Sequence, residues 1–258
     1  MIHARNAGID ASTGNYLMFI DSDDYIAPEM AEKLYRSLLE NKTPISICNY
    51  ILTDEAGTPV PDTNTTLTDE VFSGEEAIRR LVNRKSASYV ISCNKLYNRE
   101  VFSTLRFPYG KVHEDEFLAH HLFDQCAKVS SISDICYYYR KHVGSIMATP
   151  NYKERLHALE SAADRIALCK GMGLSNELSL SYSDLVFGFS NLGSVPKEFK
   201  GLKPEIMALR KCILSNLTLC RFCPKNQIGS LILAAICPPI YRFAFHLTHP
   251  SLSRENTQ

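Results

Sequence analysis

The stretch Tyr16-Leu17-Met18-Phe19-Ile20-Asp21-Ser22-Asp23-Asp24 constrains the chain more than any other. A short apolar run feeds directly into clustered carboxylates. Runs this short read as strands buried on both faces, as in parallel sheets. Ligands of open α/β sheets bind beyond the carboxyl ends of such strands, where Asp21, Ser22, Asp23 and Asp24 would lie. Neighbouring carboxylates repel unless a positive charge joins them, and a hard divalent cation bridging to a phosphate does so. An Asp-rich surface turn or helix cap satisfies the same residues. The stretch alone leaves both readings open.

The remainder of the chain narrows the class. It has 258 residues, enough for one large domain or a domain with an appendage. Its 28 basic residues balance 28 acidic ones, which argues against a nucleic-acid partner. Residues 1–8 lack the apolar core of a signal peptide. The nine cysteines are irregularly spaced inside apolar runs, which suits reduced, core-filling thiols in a cytoplasmic protein. Cys220-Arg221-Phe222-Cys223 has no second pair at zinc spacing, so it carries no metal assignment.

Arg5 to Ile9 reads as the tail of a helix closing on Gly8. Pro28 suits a first helical position, and Met30, Leu34 and Leu38 form one helical face ending near Asn41. Ile45 to Ile51 alternates like a strand, and residues 53–70 read as a long loop or irregular hairpin. Ser73-Gly74-Glu75-Glu76 matches a capping box opening a helix with Ile78, Leu81 and Val82 inward. Tyr89 to Ile91 reads as a short strand. His113-Glu114-Asp115-Glu116 opens a helix carrying Phe117, Leu118, Leu122 and Phe123. Acids in a first turn complement the helix dipole; Asp115 at a helix N-terminus also suits a general base projecting into a cleft. Val129–Ile132 and Ile135–Tyr139 read as two strands around a turn, followed by the polar loop Arg140 to Ile146, whose fixed cations fit either a solvated loop or a phosphate site.

From Asn151 the texture becomes helical. Leu156, Leu159, Ala163, Ile166 and Ala167 make one face of a helix stopping at Gly171, and residues 174–192 and 204–219 are two further helices. Residues 228–247 are strongly apolar but hold Pro238, Pro239, Arg242 and His246, which argues against a membrane span. A packed terminal helix and a helix lying on a membrane surface both fit, the latter aided by Arg210, Lys211, Arg221, Lys225 and Arg242. The chain divides on this reading into residues 1–150 and a helical region 151–258.

The series Ala4-Arg5-Asn6-x-Gly8-Ile9, Ala11-x-x-Gly14-x-Tyr16 and Phe19-x-Asp21-Ser22-Asp23-Asp24 resembles the family 2 glycosyltransferases. The likeness continues through Asn94-Lys95-Leu96-Tyr97, Arg106-Phe107-Pro108, Glu114-Asp115 and Tyr137-Tyr138-Tyr139-Arg140 with Ser145-Ile146. It is strongest to bacterial enzymes of capsular and exopolysaccharide synthesis. The resemblance implies a GT-A fold, a Rossmann-like α/β sheet flanked by helices. It implies an inverting transfer from a nucleotide sugar, by default a UDP-sugar, to a hydroxyl of a saccharide or lipid-linked acceptor, on the cytoplasmic side of the membrane. Asp23 and Asp21 would hold Mg2+ or Mn2+, with Asp24 a weaker donor-site candidate. Asp115 would be the catalytic base. Arg5 would lie beside the nucleotide, and Arg140, His142 and Ser145 in a loop over the diphosphate. The C-terminal helices would supply any peripheral membrane contact.

The family pattern begins with a base-binding strand and an Asp-Gly-Ser segment that precede the first motif matched by this chain. The expectation is therefore an N-terminally truncated fragment with weak or absent activity of its own.

Overall fold

The computed structural model describes residues 2–60, 67–83, 87–141, 151–192 and 197–248. The chain divides into two units, residues 1–149 and 150–258.

The first unit is a mixed sheet flanked by helices. Its strands are β1 (Tyr16–Met18), β2 (Tyr25–Ile26), β3 (Ile45–Thr53), β4 (Glu70–Phe72), β5 (Lys95–Asn98) and β6 (Val129–Arg140). Their order is β1-β5-β3-β6-β2, with β4 also pairing with β6. Among the described strands, β3 and β6 run parallel and the other pairs are antiparallel. The helices are α1 (Ile2–Ala11), α2 (Met30–Asn41), α3 (Gly74–Val82) and α4 (Glu114–Asp124). α2 lays Met30, Leu34 and Leu38 on the sheet against Cys48, Tyr50 and Tyr137, as the spacing of four predicts. Ser73 caps α3 by accepting from Glu76 N at 3.0 Å. Gly74 is required there, because a Cβ would meet Phe123 O at 2.0 Å where α3 abuts the end of α4.

Several expectations are corrected. The strand buried on both faces is β3, in which Ile45, Ile47 and Cys48 are fully buried. β1 is short and ends the strand order, with only Leu17 buried. The apolar run overstates it because Phe19 leaves the strand. Its ring packs edge-on against Tyr97, Phe102 and Phe107 at 5.8, 5.7 and 5.3 Å, and Ile20 is 48% exposed. α1 runs through Gly8 to Ala11, since an isolated glycine lowers helix propensity without ending a helix. Residues 129–140 are one strand, whose pairing with β3 absorbs the polar Ser-Asp pair as register shifts around Asn49. Residues 89–91 are not a strand. Ala87–Tyr89 is a 310 turn, and the carbonyls of Ser88 and Ile91 point at the ammonium of Lys95 instead of joining a ladder.

The second unit holds α5 (Tyr152–Met172), α6 (Ser175–Asn191), α7 (Lys203–Ser215), α8 (Lys225–Ile236) and α9 (Pro238–Thr248). Asn151 and Glu154 form a reciprocal capping box at the start of α5. Its buried face is Leu156, Leu159, Ala162, Ile166 and Cys169, while Ala167 is exposed. The apolar stretch after residue 228 is two helices, because Pro238 lacks the N–H that would continue α8. Among the described residues, no helix is long and apolar enough to cross a membrane.

Candidate active site

The acids at the end of β1 form a turn into β2, closed by Asp24 N donating to Asp21 O at 3.1 Å. Asp24 ties this turn to β6. Its Oδ2 accepts from Tyr137 Oη at 2.5 Å and its Oδ1 from Arg140 N at 2.9 Å. Tyr137 Oη in turn accepts from Asp21 N at 3.3 Å. Burial raises the Asp24 carboxyl above the ordinary range, against the lowering effect of the Tyr137 bond. Asp23 sits exposed at the tip of the turn.

Arg5 links this turn to α4. Its Nη2 donates to Asp21 Oδ1 at 2.8 Å, and its Nη1 to Asp115 Oδ1 at 2.6 Å and Glu114 Oε1 at 3.0 Å. The guanidinium lies 5.3 Å from the Phe107 ring centroid. Burial alone would lower its pKa, but Asp115, Asp21 and Glu114 outweigh that and raise it. Burial, and then the charge of Asp115, raise the Glu114 carboxyl. Asn6 fixes α1 in place: its side chain donates to Phe107 O at 2.8 Å and accepts from Phe107 N at 3.0 Å. On the other side, His113 adopts φ 62°, and α4 starts at Glu114, so two of its three first-turn acids, Glu114 and Asp115, reach Arg5.

Asp115 has a second set of partners that sequence reasoning missed. Ser92 N donates to its Oδ2 at 3.1 Å and Ser92 Oγ to its Oδ1 at 2.8 Å. The segment holding Ser92 is pinned from β5. Lys95 is fully buried, and its Nζ donates to Ser88 O at 2.6 Å, Asn94 Oδ1 at 2.9 Å and Ile91 O. Tyr97 Oη donates to Ser92 O at 3.1 Å. Burial pulls the Lys95 ammonium down to about 8. The Asn94-Lys95-Leu96-Tyr97 motif was visible in the sequence, but nothing local shows that its lysine and tyrosine act on Ser92. Glu114 and Tyr137 were likewise visible without assigned roles.

A cleft of about 480 Å3 opens beside the turn, lined from α1 by Arg5, Gly8 and Ile9 and from the acidic stretch by Asp21, Ser22 and Asp23. A hard divalent cation prefers carboxylate oxygens. Asp21 and Asp23 both line this cleft, so their residue type fits such an ion. Carboxylate oxygens of Asp21 and Asp24 also converge with the Cys93 sulfur within 4.8 Å. Burial pushes the Cys93 thiol up to about 12, which makes it a poor ligand for a hard cation. Arg140 stacks its guanidinium 5.6 Å from the Tyr25 centroid, and Tyr25 stacks on Tyr138 at 4.6 Å. His142 and Ser145 lie outside the described residues.

A mixed sheet whose acidic turn faces a helix-borne carboxylate defines an α/β domain with a crevice beside that turn. Residues 1–106 match the family model described as Glycosyl transferase family 2, and the chain carries a domain of that family. It is 31% identical over 192 residues to Glycosyltransferase GlyA of Streptococcus pneumoniae, covering 69% of this chain and 26% of the relative. It is 33% identical over 156 residues to Glycosyltransferase GlyG of the same organism, covering 57% of this chain and 50% of the relative. The chain therefore spans half or less of the length of these relatives. Among solved structures, S. aureus TarS 1–349 in complex with UDP-GlcNAc superposes with a TM-score of 0.65 at 18% identity, covering 89% of this chain and 66% of that one. The same TarS segment in complex with UDP gives a TM-score of 0.63 at 15% identity. The fold is GT-A.

Proposed function

We propose that the chain transfers a sugar from a nucleotide-sugar donor to an acceptor hydroxyl in bacterial surface-polysaccharide synthesis. The observation that carries this reading is the single guanidinium of Arg5, bonded to Asp21 of the acidic turn and to Asp115 of α4. A donor-side acid and a candidate base stand on either side of one side chain, next to an open cleft.

Each residue takes a role from its surroundings. Asp21 and Asp23 would hold Mg2+ or Mn2+, and such an ion would supply positive charge for the diphosphate leaving group. Asp115 takes the proton from the acceptor hydroxyl, which attacks opposite the leaving group and inverts the configuration. Ser92 and Arg5 fix the orientation of the Asp115 carboxylate. Arg140, braced on Tyr25, contacts the diphosphate together with His142 and Ser145. The donor is a UDP-sugar, a choice supported by the fold shared with a protein solved in complex with UDP-GlcNAc. The acceptor is a saccharide or lipid-linked glycan, and the reaction takes place in the cytoplasm. The free cysteines are consistent with that compartment.

Calorimetric titration of UDP tests the donor half. Binding is expected with MnCl2 and is expected to vanish in EDTA. Equal binding with and without the metal would remove the cation role, and no binding in either would sink the donor assignment.

A further inference from the structure

The second unit carries a charge asymmetry that the transfer reaction does not use. The chain as a whole is neutral, yet no Asp or Glu occurs between Glu205 and Glu255. That stretch holds Arg210, Lys211, Arg221, Lys225 and Arg242. It builds α7, α8 and α9, and each of these helices has two faces. The inner faces are satisfied by Leu209 and Ile213 in α7 and by Leu231, Ala234 and Ala235 in α8, all buried. In α9, Tyr241 is buried with its ring 5.6 Å from Phe187 and 5.9 Å from Phe245.

The outer faces carry large apolar side chains where a core needs nothing. On α8, Lys225, Gly229, Ile232 and Ile236 form one exposed stripe at spacings of three and four. On α9, Ile240 and Phe243 are 56% and 68% exposed. On α7, Met207 is 71% exposed and lines a groove of about 500 Å3 together with Arg210, Lys211 and Leu214. On α7 and on α8, basic and aliphatic groups thus lie side by side.

We propose that α7–α9 form a docking surface for an anionic lipid bilayer. This goes beyond the transfer reaction and does not depend on it. A bilayer interface accepts both halves of the surface at once: aliphatic side chains enter the acyl boundary while Lys and Arg meet the headgroups. With 12 residues in α8 and 11 in α9, these helices lie in the interface plane and do not cross it. A nucleic acid matches the charge but gives exposed isoleucines nothing to bury against. A second copy matches the apolar groups, but a twofold contact would set like charges face to face.

The test is flotation of the whole chain with vesicles of phosphatidylcholine alone and with added phosphatidylglycerol. Binding only to the anionic vesicles, weakening as salt rises, is expected. Replacing Arg221 and Lys225 by Gln should weaken it about thirty-fold, at about 1 kcal/mol per basic residue. Replacing Ile240 and Phe243 by Ser should weaken it at all salt concentrations. Both pairs lie outside the transfer site, and circular dichroism checks that the variants stay folded. Equal partition onto neutral vesicles, or no binding to either, would overturn the proposal. So would a dimer, seen by light scattering, that the Ile240/Phe243 variant abolishes.

Discussion

Arg5 Nη1 donates to Asp115 Oδ1 at 2.6 Å while Nη2 of the same guanidinium donates to Asp21 Oδ1 at 2.8 Å. Two carboxylates from elements 94 residues apart in sequence (115 − 21) are held on one planar cation. A planar fork fixes the direction of its bonds as well as their charge, which a lysine would not do. α1 therefore couples the acidic turn to the first turn of α4.

Removing that cation should cost both stability and function. Arg5→Met leaves Asp21, Glu114 and Asp115 facing each other with no counter-charge. Breaking a buried ionic group by deleting one partner costs roughly 3 kcal/mol. Urea denaturation at neutral pH should show that loss, and it should shrink in acid as the carboxylates protonate. A change below a few tenths of a kcal/mol would mean that the three acids do not depend on Arg5.

Ser92 should affect turnover and leave donor binding alone. Ser92→Ala removes the hydroxyl bond to Asp115 but keeps the backbone bond. A hydrogen bond to a charged group contributes about 1.5–3 kcal/mol, so kcat is expected to fall by about ten-fold or more with the KM for donor unchanged. A rise in KM at constant kcat would place Ser92 in the donor site instead.

Lys95 predicts a pH dependence of stability. Its folded pKa is lowered by burial to about 8 from the ordinary 10.5. Below pH 8 the ammonium is charged in both the folded and unfolded states, so its cost is constant. Between 8 and 10.5 the folded state releases the proton first, and stability from this group rises with pH. The shift corresponds to about 3 kcal/mol. The stability of the parent relative to Lys95→Met should therefore increase across that window in denaturant titrations. A flat difference would show that the three carbonyl-type acceptors hold the ammonium charged.

The parts of the fold that follow local rules were legible in the sequence. α2 follows from Met30, Leu34 and Leu38 at spacing four, and α3 from the Ser73 cap. The placement of Asp115 in a first helical turn was also legible. What escaped depends on distant partners. Phe19 looks like strand until Phe102 and Phe107 arrive to hold its ring outside β1. Residues 89–91 read as strand because the sequence does not show that Lys95 takes the carbonyls of Ser88 and Ile91. Asp24 reads as one more acid of the cluster, and nothing local shows that Tyr137, 113 residues away, and the Arg140 backbone donate to its carboxylate. In each case a side-chain contact outweighs the local pattern.

The assignment of Asp115 as base is the centre of the account, and Asp115→Asn tests it most directly. The asparagine keeps the size of the side chain and an oxygen for Ser92 but cannot take a proton. Transfer from a UDP-sugar should fall by about 100-fold or more, with UDP binding in the presence of Mn2+ kept by calorimetry. Transfer at the parent rate in this variant would contradict the account.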